Sequence, residues 1–298
     1  MQISLTLFSL SPELYAEVAV IAEEAGIESL WLSDHLVTPT GFDTTYPYHD
    51  KPAESPGANA PAWAVQQLRD APILVDQWAL ISHLSALTST LRFGSGTHIL
   101  PLRNPFVTAL ATATAHRLSQ GRLLLGVGSG WMREEFQTVG ESFDDRGARL
   151  EECIDVIQGL HAAEPFQYHG THFDFGPAAI GGDPVDVPWF FGGLAKRAIR
   201  RTIERGAGWF GPPCSLEESV SARDYLDKLR EDSPLADNPL IHYPRLVGEW
   251  DEKAFSGYRA AGFDRLVVSA GGPLSAMTSA QERQEAIARL AELGRAVG

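Results

Sequence analysis

Cysteine is scarce in this chain, which has 298 residues and two cysteines, Cys153 and Cys214. Two cysteines provide no disulfide framework. Cys153 falls at a core-like position of a predicted helix, as a small buried hydrophobic residue does. Cysteine and histidine spacings typical of structural zinc are also absent, so the sequence predicts no metal site.

Long apolar runs and positive charge are scarce as well. No apolar run reaches the length of a transmembrane helix, and the first residues lack the basic and apolar segments of a secretion signal. Lysine and arginine number 24 against 38 acidic residues, which gives a net charge of -14. Nucleic-acid binding requires a basic face. We therefore expect a cytoplasmic protein that binds neither membranes nor nucleic acid.

The order of predicted elements indicates the fold. Hydrophobic residues make up 44% of the chain, enough for a large core. Eight predicted strands each precede a helix, and an α/β barrel typically has about 250 residues. We predict an α/β protein with a (β/α)8 TIM barrel, a single domain over residues 1–298, and insertions in the loops after the strands. A doubly wound sheet produces the same alternation. The predicted strands span residues 3–8, 27–33, 91–97, 123–127, 188–191, 208–210, 241–247 and 263–269.

The longest predicted insertion covers residues 39–72 and is rich in proline, glycine, tyrosine and tryptophan. A loop of this length inside a compact domain is usually a lid or a binding loop. A disordered insertion is the alternative. Aromatic residues such as Tyr46 and Tyr48 argue against full disorder, because disordered segments contain few of them.

The segment 121–149 holds three glycines at alternate positions, Gly126, Gly128 and Gly130, between a predicted buried strand and a helix. Glycine lets a ligand approach the backbone, and the free amides at a helix start favour anions. The pattern is not the dinucleotide fingerprint, which requires a different glycine spacing. A tight strand-to-helix turn is the alternative. We interpret Glu134 and Glu135 as acidic residues that interact with the helix dipole.

Several short motifs accompany this segment, and we list them in chain order. They are SDH at 33–35, LPLRNP at 100–105, AHRLSQGR at 115–122, GW at 130–131, EF at 135–136, Gly140, Phe143, Arg146, Glu151, GG at 192–193, RR at 200–201 and GW at 208–209. Together they resemble the bacterial luciferase-like monooxygenase family. Within that family they are most similar to the branch that uses the deazaflavin coenzyme F420. The resemblance covers roughly residues 3 to 269.

The resemblance implies a site for the cofactor ring. It places His35 against the ring, where a histidine can relay a proton near neutral pH, and Asp34 stands beside it. It also implies a non-proline cis peptide at about Gly96 and Thr97 that backs the ring. From the residues alone, the alternatives are that Asp34 is a capping residue, that His35 is bonded to backbone, and that Gly96 belongs to an ordinary strand.

The remaining cofactor residues are expected to hold its tail. Gly128 and Ser129 are implied to receive the ribityl chain or a phosphate. Gly192 and Gly193 precede a predicted helix over residues 194–205 that carries Lys196 and three arginines near its start, and helix-start amides with nearby cations suit an anionic tail. The alternative is a solvated basic face paired with acidic residues such as Glu204 and Glu217.

Four residues are predicted to bind the substrate: Tyr46, Tyr48, His98 and Trp131. Tyr46 and Tyr48 belong to the expected lid, and His98 follows the third strand. In the sugar-phosphate dehydrogenases of the branch, a glutamate stands where this chain has Trp131. That departure argues against a sugar-phosphate dehydrogenase activity.

Three functions remain open at this point. The first is an F420-dependent oxidoreductase that moves a hydride to or from a small organic substrate. The second is an FMN-dependent monooxygenase that uses oxygen and a separate flavin reductase. The third is a barrel that binds a flavin or another ligand without turnover. The resemblance also implies a homodimer, and we expect a reductase that recycles the cofactor.

Overall fold

The computed structural model describes residues 1–40, 42–44, 46, 47, 73–231, 233 and 239–298. Most of the predicted insertion at 39–72, including Tyr48, therefore lies outside the described residues. Within the described ranges, no helix combines the length and the apolar character that crossing a membrane requires.

The strands differ from the predicted ones mainly at their ends. They are β1 (Gln2–Leu7), β2 (Ser29–Leu32), β3 (Arg92–Ser95), β4 (His98–Ile99), β5 (Leu123–Gly128), β6 (Phe166–His169), β7 (Asp174–Ala178), β8 (Trp189–Gly192), β9 (Gly208–Pro213), β10 (Ile241–Leu246) and β11 (Arg265–Ser269).

The helices among the described residues follow the predicted order, with one addition at α9. They are α1 (Pro12–Ala25), α2 (Gln77–Leu87), α3 (Pro105–Leu118), α4 (Arg133–Val139), α5 (Arg146–His161), α6 (Lys196–Arg205), α7 (Leu216–Glu231), α8 (Glu252–Ala260), α9 (Gly271–Ala276) and α10 (Ala280–Ala296), with a 3-10 turn at Leu100–Leu102.

Eight parallel strands close into a barrel, which confirms the predicted (β/α)8 fold. Around the barrel they run β1, β2, β3, β5, β8, β9, β10 and β11, and β11 returns to β1. The pairing of β3 with β5, through Phe93 and Leu123, completes the circle. The short β4 extends the wall beside β5, and β6 and β7 form a separate antiparallel hairpin. In such a barrel all the carboxyl ends of the strands meet at one face.

The sequence predicts a helix that starts at Ser11 and Pro12 and ends at Gly26, and local capping gives α1 these bounds. The Ser11 hydroxyl accepts a hydrogen bond from the Leu14 amide, and Pro12 occupies the first turn. Gly26 ends the helix in the left-handed conformation, with φ of 82°. The predicted helix at 73–87 instead begins at Gln77, because Asp76 caps it by accepting a hydrogen bond from the Ala79 amide.

Aromatic side chains fill the barrel below its carboxyl face. Trp31 of β2 stacks on Phe210 of β9 with ring centroids 4.1 Å apart, and the Tyr243 ring meets Trp31 edge-on at 4.9 Å. Phe190 completes the layer, and all four rings are almost fully buried. This layer closes the barrel interior, so any site must lie above it, at the strand ends.

Gly126 of β5 provides a sharp test of barrel packing. A Cβ atom at Gly126 would lie 2.0 Å from the Ser95 carbonyl oxygen, a backbone atom that cannot move aside. We expect Gly126→Ala to lower the free energy of unfolding by about 1–3 kcal/mol or more, as overpacking does. Chemical denaturation measures the change.

The same substitution at Gly147 serves as a matched control. Gly147 lies in the first turn of α5, with nothing within 4 Å of an added Cβ. Alanine favours a helix over glycine by up to about 1 kcal/mol, so Gly147→Ala is expected to leave the protein as stable as before or more stable. Equal stability of the two variants would contradict the packing described at Gly126.

Candidate active site

A cavity of about 550 Å³ opens at the carboxyl ends of the barrel strands. It lies at the face of a TIM barrel where active sites are built. Most residues that the sequence singled out meet in its wall. Those residues are His35, Tyr46, Gly96, Thr97, Gly128, Ser129, Trp131, Gly192 and Gly193.

The floor of the cavity is formed largely by backbone. The peptide between Gly96 and Thr97 is cis, as the resemblance implied, and it separates β3 from β4. The Thr97 side chain fits between two glycines. An added Cβ would lie 2.7 Å from Thr97 Oγ1 at Gly128, and 3.1 Å from Thr97 Cγ2 at Gly192. Below, a Cβ at Gly96 would meet the Phe210 ring at 3.1 Å. These glycines let three strand ends pack closely in the cavity wall.

His35 is held at the cavity wall by a carboxylate from the first turn of α4. Its Nδ1 lies 3.0 Å from Glu135 Oε2, and its side chain is 9% exposed. The other oxygen of Glu135 accepts hydrogen bonds from the amides of Leu36 at 2.7 Å and Val37 at 3.4 Å. Glu135 itself is completely buried. Because Nδ1 is bonded to Glu135, Nε2 is the ring nitrogen that can exchange a proton with a bound molecule.

The interpretation of Glu135 as a helix-dipole residue was therefore incomplete. Glu135 is in the first turn of α4, as expected, but its carboxylate is used to orient His35 and its loop. Sequence reasoning missed this role because the two residues are 100 positions apart. The available signal was the position of both residues just after barrel strands.

Glu134, in the same first turn of α4, bonds a different segment of the chain. Its carboxylate accepts hydrogen bonds from the amides of Asp43 and Thr44 and from the Thr44 hydroxyl, at 2.9, 3.0 and 2.6 Å. Burial alone would raise the pKa of Glu134, but these hydrogen bonds lower it to about 2. Glu134 thus stays ionised at neutral pH and fastens the segment that carries Phe42 and Tyr46.

Aromatic rings form the wall opposite the backbone floor. Trp131 meets Tyr46 edge-on at 4.9 Å, Phe42 at 5.9 Å and His35 at 6.2 Å. Trp131 and Tyr46 were both predicted on the substrate side, and the structure brings them together in the cavity wall. Tyr48, predicted beside them, lies outside the described residues.

Asp34 and His98 do not line the cavity, contrary to their predicted binding roles. Asp34 forms a two-point ion pair with Arg103 at 2.7 and 2.8 Å and accepts a hydrogen bond from the Ile99 amide. His98 Nδ1 lies 3.0 Å from Gln77 Oε1 and 3.3 Å from Asp34 Oδ2. Both side chains are buried behind the wall, where they hold β4 in place.

The predicted anion site at the start of α6 is only partly assembled. Gly192 and Gly193 line the cavity, whereas Lys196 is exposed at the first residue of the helix and is not part of the wall. Arg197 and Arg201 both contact Glu151 of α5, at 3.4 and 2.5 Å. The partner of these arginines is therefore Glu151 rather than Glu204 or Glu217.

Two arginines that sequence reasoning did not assign to the site lie in the cavity wall, Arg146 and Arg245. Arg146 donates to the carbonyl oxygens of Gly130 at 3.3 Å and Phe143 at 2.9 Å, and it covers the Phe143 ring at 3.8 Å. Arg245 comes from the end of β10. The sequence offered one signal for Arg245, its place near a strand end, and that signal is shared by many residues.

Fold and site together define a TIM-barrel protein with a cavity at the carboxyl ends of the strands, lined by a histidine, aromatic rings and glycines. The sequence model of the luciferase-like monooxygenase family matches residues 11–294. The chain belongs to this family, whose relatives include both F420-dependent and FMN-dependent enzymes.

Three relatives show the breadth of the family. An uncharacterised protein of Mycobacterium tuberculosis H37Rv is 29% identical over 78% of this chain and 77% of its own length. An F420-dependent glucose-6-phosphate dehydrogenase of Amycolatopsis mediterranei is 32% identical over 73% of this chain and 57% of its own length. An FMNH2-dependent dimethylsulfone monooxygenase of Pseudomonas fluorescens is 32% identical over 49% of this chain and 40% of its own length.

A solved structure supports the fold. An F420-dependent secondary alcohol dehydrogenase, in complex with an F420–acetone adduct, superposes with a TM-score of 0.73 at 16% identity. The match covers 100% of this chain and 99% of the other. At this identity the likeness concerns the fold alone.

Proposed function

We propose that this protein is an F420-dependent oxidoreductase acting on a small organic substrate. The observation that carries the proposal is His35, held by Glu135 in the wall of a cavity whose floor is built from closely packed glycines at the strand ends. The F420-dependent relative supports the choice of deazaflavin.

We assign different roles to different residues of the cavity. The floor around Gly96, Thr97 and Gly128 would hold the ring, and Ser129, Gly192 and Gly193 would contact its tail. Such a cofactor, when bound, supplies the hydride chemistry. The protein contributes the rest: His35 Nε2 gives a proton to the substrate oxygen or takes one from it, and Trp131 and Tyr46 orient the substrate and exclude water.

A second candidate is an FMN-dependent monooxygenase, which the dimethylsulfone monooxygenase relative favours. The same floor accepts an isoalloxazine ring, because backbone does not discriminate between the two tricyclic systems. In either case we propose that a separate reductase recycles the cofactor and that the protein acts as a homodimer.

Cofactor preference is measured by fluorescence titration of the purified protein with F420 and, in parallel, with FMN. We expect F420 to bind at least about 10-fold more tightly, which is about 1.4 kcal/mol. A panel of alcohols, aldehydes and ketones then identifies the substrate through the change in F420 absorbance. Tighter binding of FMN, together with oxygen uptake in the presence of reduced FMN, would reject the first candidate in favour of the second.

A floor variant tests whether the ring binds where we propose. Gly128→Val adds a branched side chain against Thr97, so it is expected to weaken F420 binding by about 10-fold or more. Gly147→Ala is the control, since it adds its methyl group to open space on α5. Unchanged F420 affinity in Gly128→Val would show that the ring does not bind at this floor.

A further inference from the structure

Arg245 lies in the cavity wall with few partners for its charge. Its Nη2 is 3.4 Å from Thr6 Oγ1 and 3.4 Å from Ser269 Oγ, which is long for a hydrogen bond. Its Nε is buried and has no hydrogen-bond partner among the described residues. The guanidinium also lies over the Phe210 ring, 5.7 Å from its centroid. Neutral hydroxyls and a ring therefore surround the cation.

Most other shielded arginines in the described part of the chain are provided with an acid or with carbonyl oxygens. Arg103 pairs with Asp34, Arg201 with Glu151, and Arg283 with Glu17. Arg122 and Arg146 donate to backbone carbonyls instead. Arg265 also has a buried Nε without a hydrogen-bond partner among the residues described, but it lies at the start of β11 and is not part of the cavity wall.

Arg245 has neither an acid nor a carbonyl among the described residues, although the chain carries 38 acidic residues. Burial lowers the pKa of Arg245, and the Tyr46 phenol and the Cys214 thiol offset only part of this effect. A buried charge without a partner is costly to the fold, and such a residue is typical of a binding site.

The position of Arg245 indicates which part of a ligand it meets. Thr6 and Ser269 stand opposite each other near the ends of β1 and β11, and both Thr6 and Arg245 line the cavity. The positive charge of Arg245 also reaches Tyr46, where it opposes the rise in the pKa of Tyr46 that burial causes. Tyr46 in turn packs against Trp131. Arg245 thus lies beside the aromatic wall that we assign to the substrate.

We propose that Arg245 binds an anionic group of the substrate, a carboxylate or a phosphate, while Trp131 and Tyr46 contact its apolar body. The planar guanidinium of arginine is suited to both anions, because it offers two parallel N–H donors. The inference rests on the proposed function, since it names the substrate class of the same cavity. The expected substrates are organic acids or phosphate esters with a body the size of one aromatic ring.

The test uses paired probes that differ in charge: benzoate against benzamide, and phenyl phosphate against benzyl alcohol. Each is titrated into the cofactor-loaded protein and into the apo-protein, with tryptophan fluorescence as the readout. We expect at least one anion to bind about 10-fold or more tightly than its neutral partner. The benzoate and phenyl phosphate titrations show which anion is preferred. Absence of any preference for the anions would overturn the proposal.

Variants assign the preference to one side chain. Arg245→Met is expected to bring each anion to within about 3-fold of its neutral partner, with F420 or FMN affinity unchanged. Arg245→Lys keeps the charge and is expected to retain part of the preference. Arg259→Met, which removes an exposed arginine paired with Asp264, is the charge-matched control and should behave as the parent. Loss of cofactor affinity in Arg245→Met would mean that Arg245 serves the cofactor, and would overturn the proposal.

Thermal unfolding separates a binding role from a structural one. Because Arg245 has no ion pair to lose among the residues that the structure describes, Arg245→Met is expected to melt at the parent temperature or about 2–4 °C above it. A clear fall in melting temperature would show that the arginine stabilises the fold and would overturn the inference. Failure of the cofactor titrations would reject the proposed function alone, because the anion preference is also measured on the apo-protein.

Discussion

Replacement of His35 by alanine is expected to reduce turnover by about 100-fold or more, the usual contribution of a proton-transferring side chain. His35 borders the cavity, and its Nδ1 is bonded to Glu135, so Nε2 is the one proton carrier that this pair presents to the substrate. The measurement is the steady-state rate with the substrate found in the F420 panel, alongside an F420 titration. Cofactor affinity should stay within about 3-fold of the parent.

Glu135→Gln is the partner variant for this prediction. Glutamine can still accept a hydrogen bond from the Leu36 amide, but its NH2 group faces Nδ1 and forces that nitrogen to become the acceptor. The ring proton then moves to Nε2, and we expect turnover to fall by about 10-fold or more with a changed pH–rate profile. Parent-like rates in His35→Ala would remove His35 from the reaction and leave the cavity as a binding site only.

Replacement of Arg103 by methionine is expected to lower the free energy of unfolding by about 3–5 kcal/mol. The guanidinium makes two bonds to Asp34, whose side chain is 3% exposed, and methionine would leave that carboxylate buried without its cation. Asp34 also accepts from the amide of Ile99, a residue of the cavity wall, so the loss should propagate to the site. Urea denaturation at pH 7 measures the effect.

The same ion pair predicts a pH dependence. Burial raises the pKa of Asp34, but His98, Arg103 and the Ile99 amide lower it more strongly, so the net shift is well below the ordinary value of 3.8. A carboxyl with a depressed folded-state pKa contributes stability above its unfolded pKa and loses it as the pH falls. The difference between the parent and Arg103→Met should therefore be largest at neutral pH and shrink below a pH of about 4.

Arg133→Met provides the matched control for Arg103→Met. Arg133 pairs with Asp144 at 2.8 Å, but both side chains are exposed, at 44% and 81%. Exposed pairs contribute less than about 1 kcal/mol, so this variant should unfold close to the parent. If Arg103→Met and Arg133→Met lowered the free energy of unfolding by equally small amounts, the buried pair of Asp34 and Arg103 would not be what holds Ile99 and β4.

Much of the fold could be predicted because its signals are local. The Ser11 cap, the Gly26 terminator and the Asn104–Pro105 helix start depend on neighbouring residues, and all three appear in the structure. The eight strands were recognisable as short apolar runs that precede helices. The end of the third strand was not predicted correctly. The prediction ran to Thr97, whereas the strand stops at Ser95, just before the cis peptide.

Residues of the site could be predicted where the residue type itself indicates a function. His35, Trp131 and the glycines of the floor were predicted as site residues from the sequence and its family resemblance, and the structure places them in one cavity wall. The roles of residues adjacent in the sequence were harder to distinguish. Asp34 and His35 were both assigned to the cofactor, but successive side chains of an extended segment point to opposite sides. His35 therefore faces the cavity while Asp34 faces Arg103 behind it.

The sequence by itself determined the alternation of strands and helices, the family, and the glycine-rich strand ends that leave room for a ligand. Only the tertiary structure decided which charges meet. Closure of the barrel brings strand ends from distant parts of the chain to one face, and this places Glu135 on His35 and Arg245 beside Thr6 and Ser269. Electrostatic and hydrogen-bonded contacts act over a few ångströms in space, whatever the separation along the chain. Spacing in the sequence could therefore indicate the candidates but not their partners.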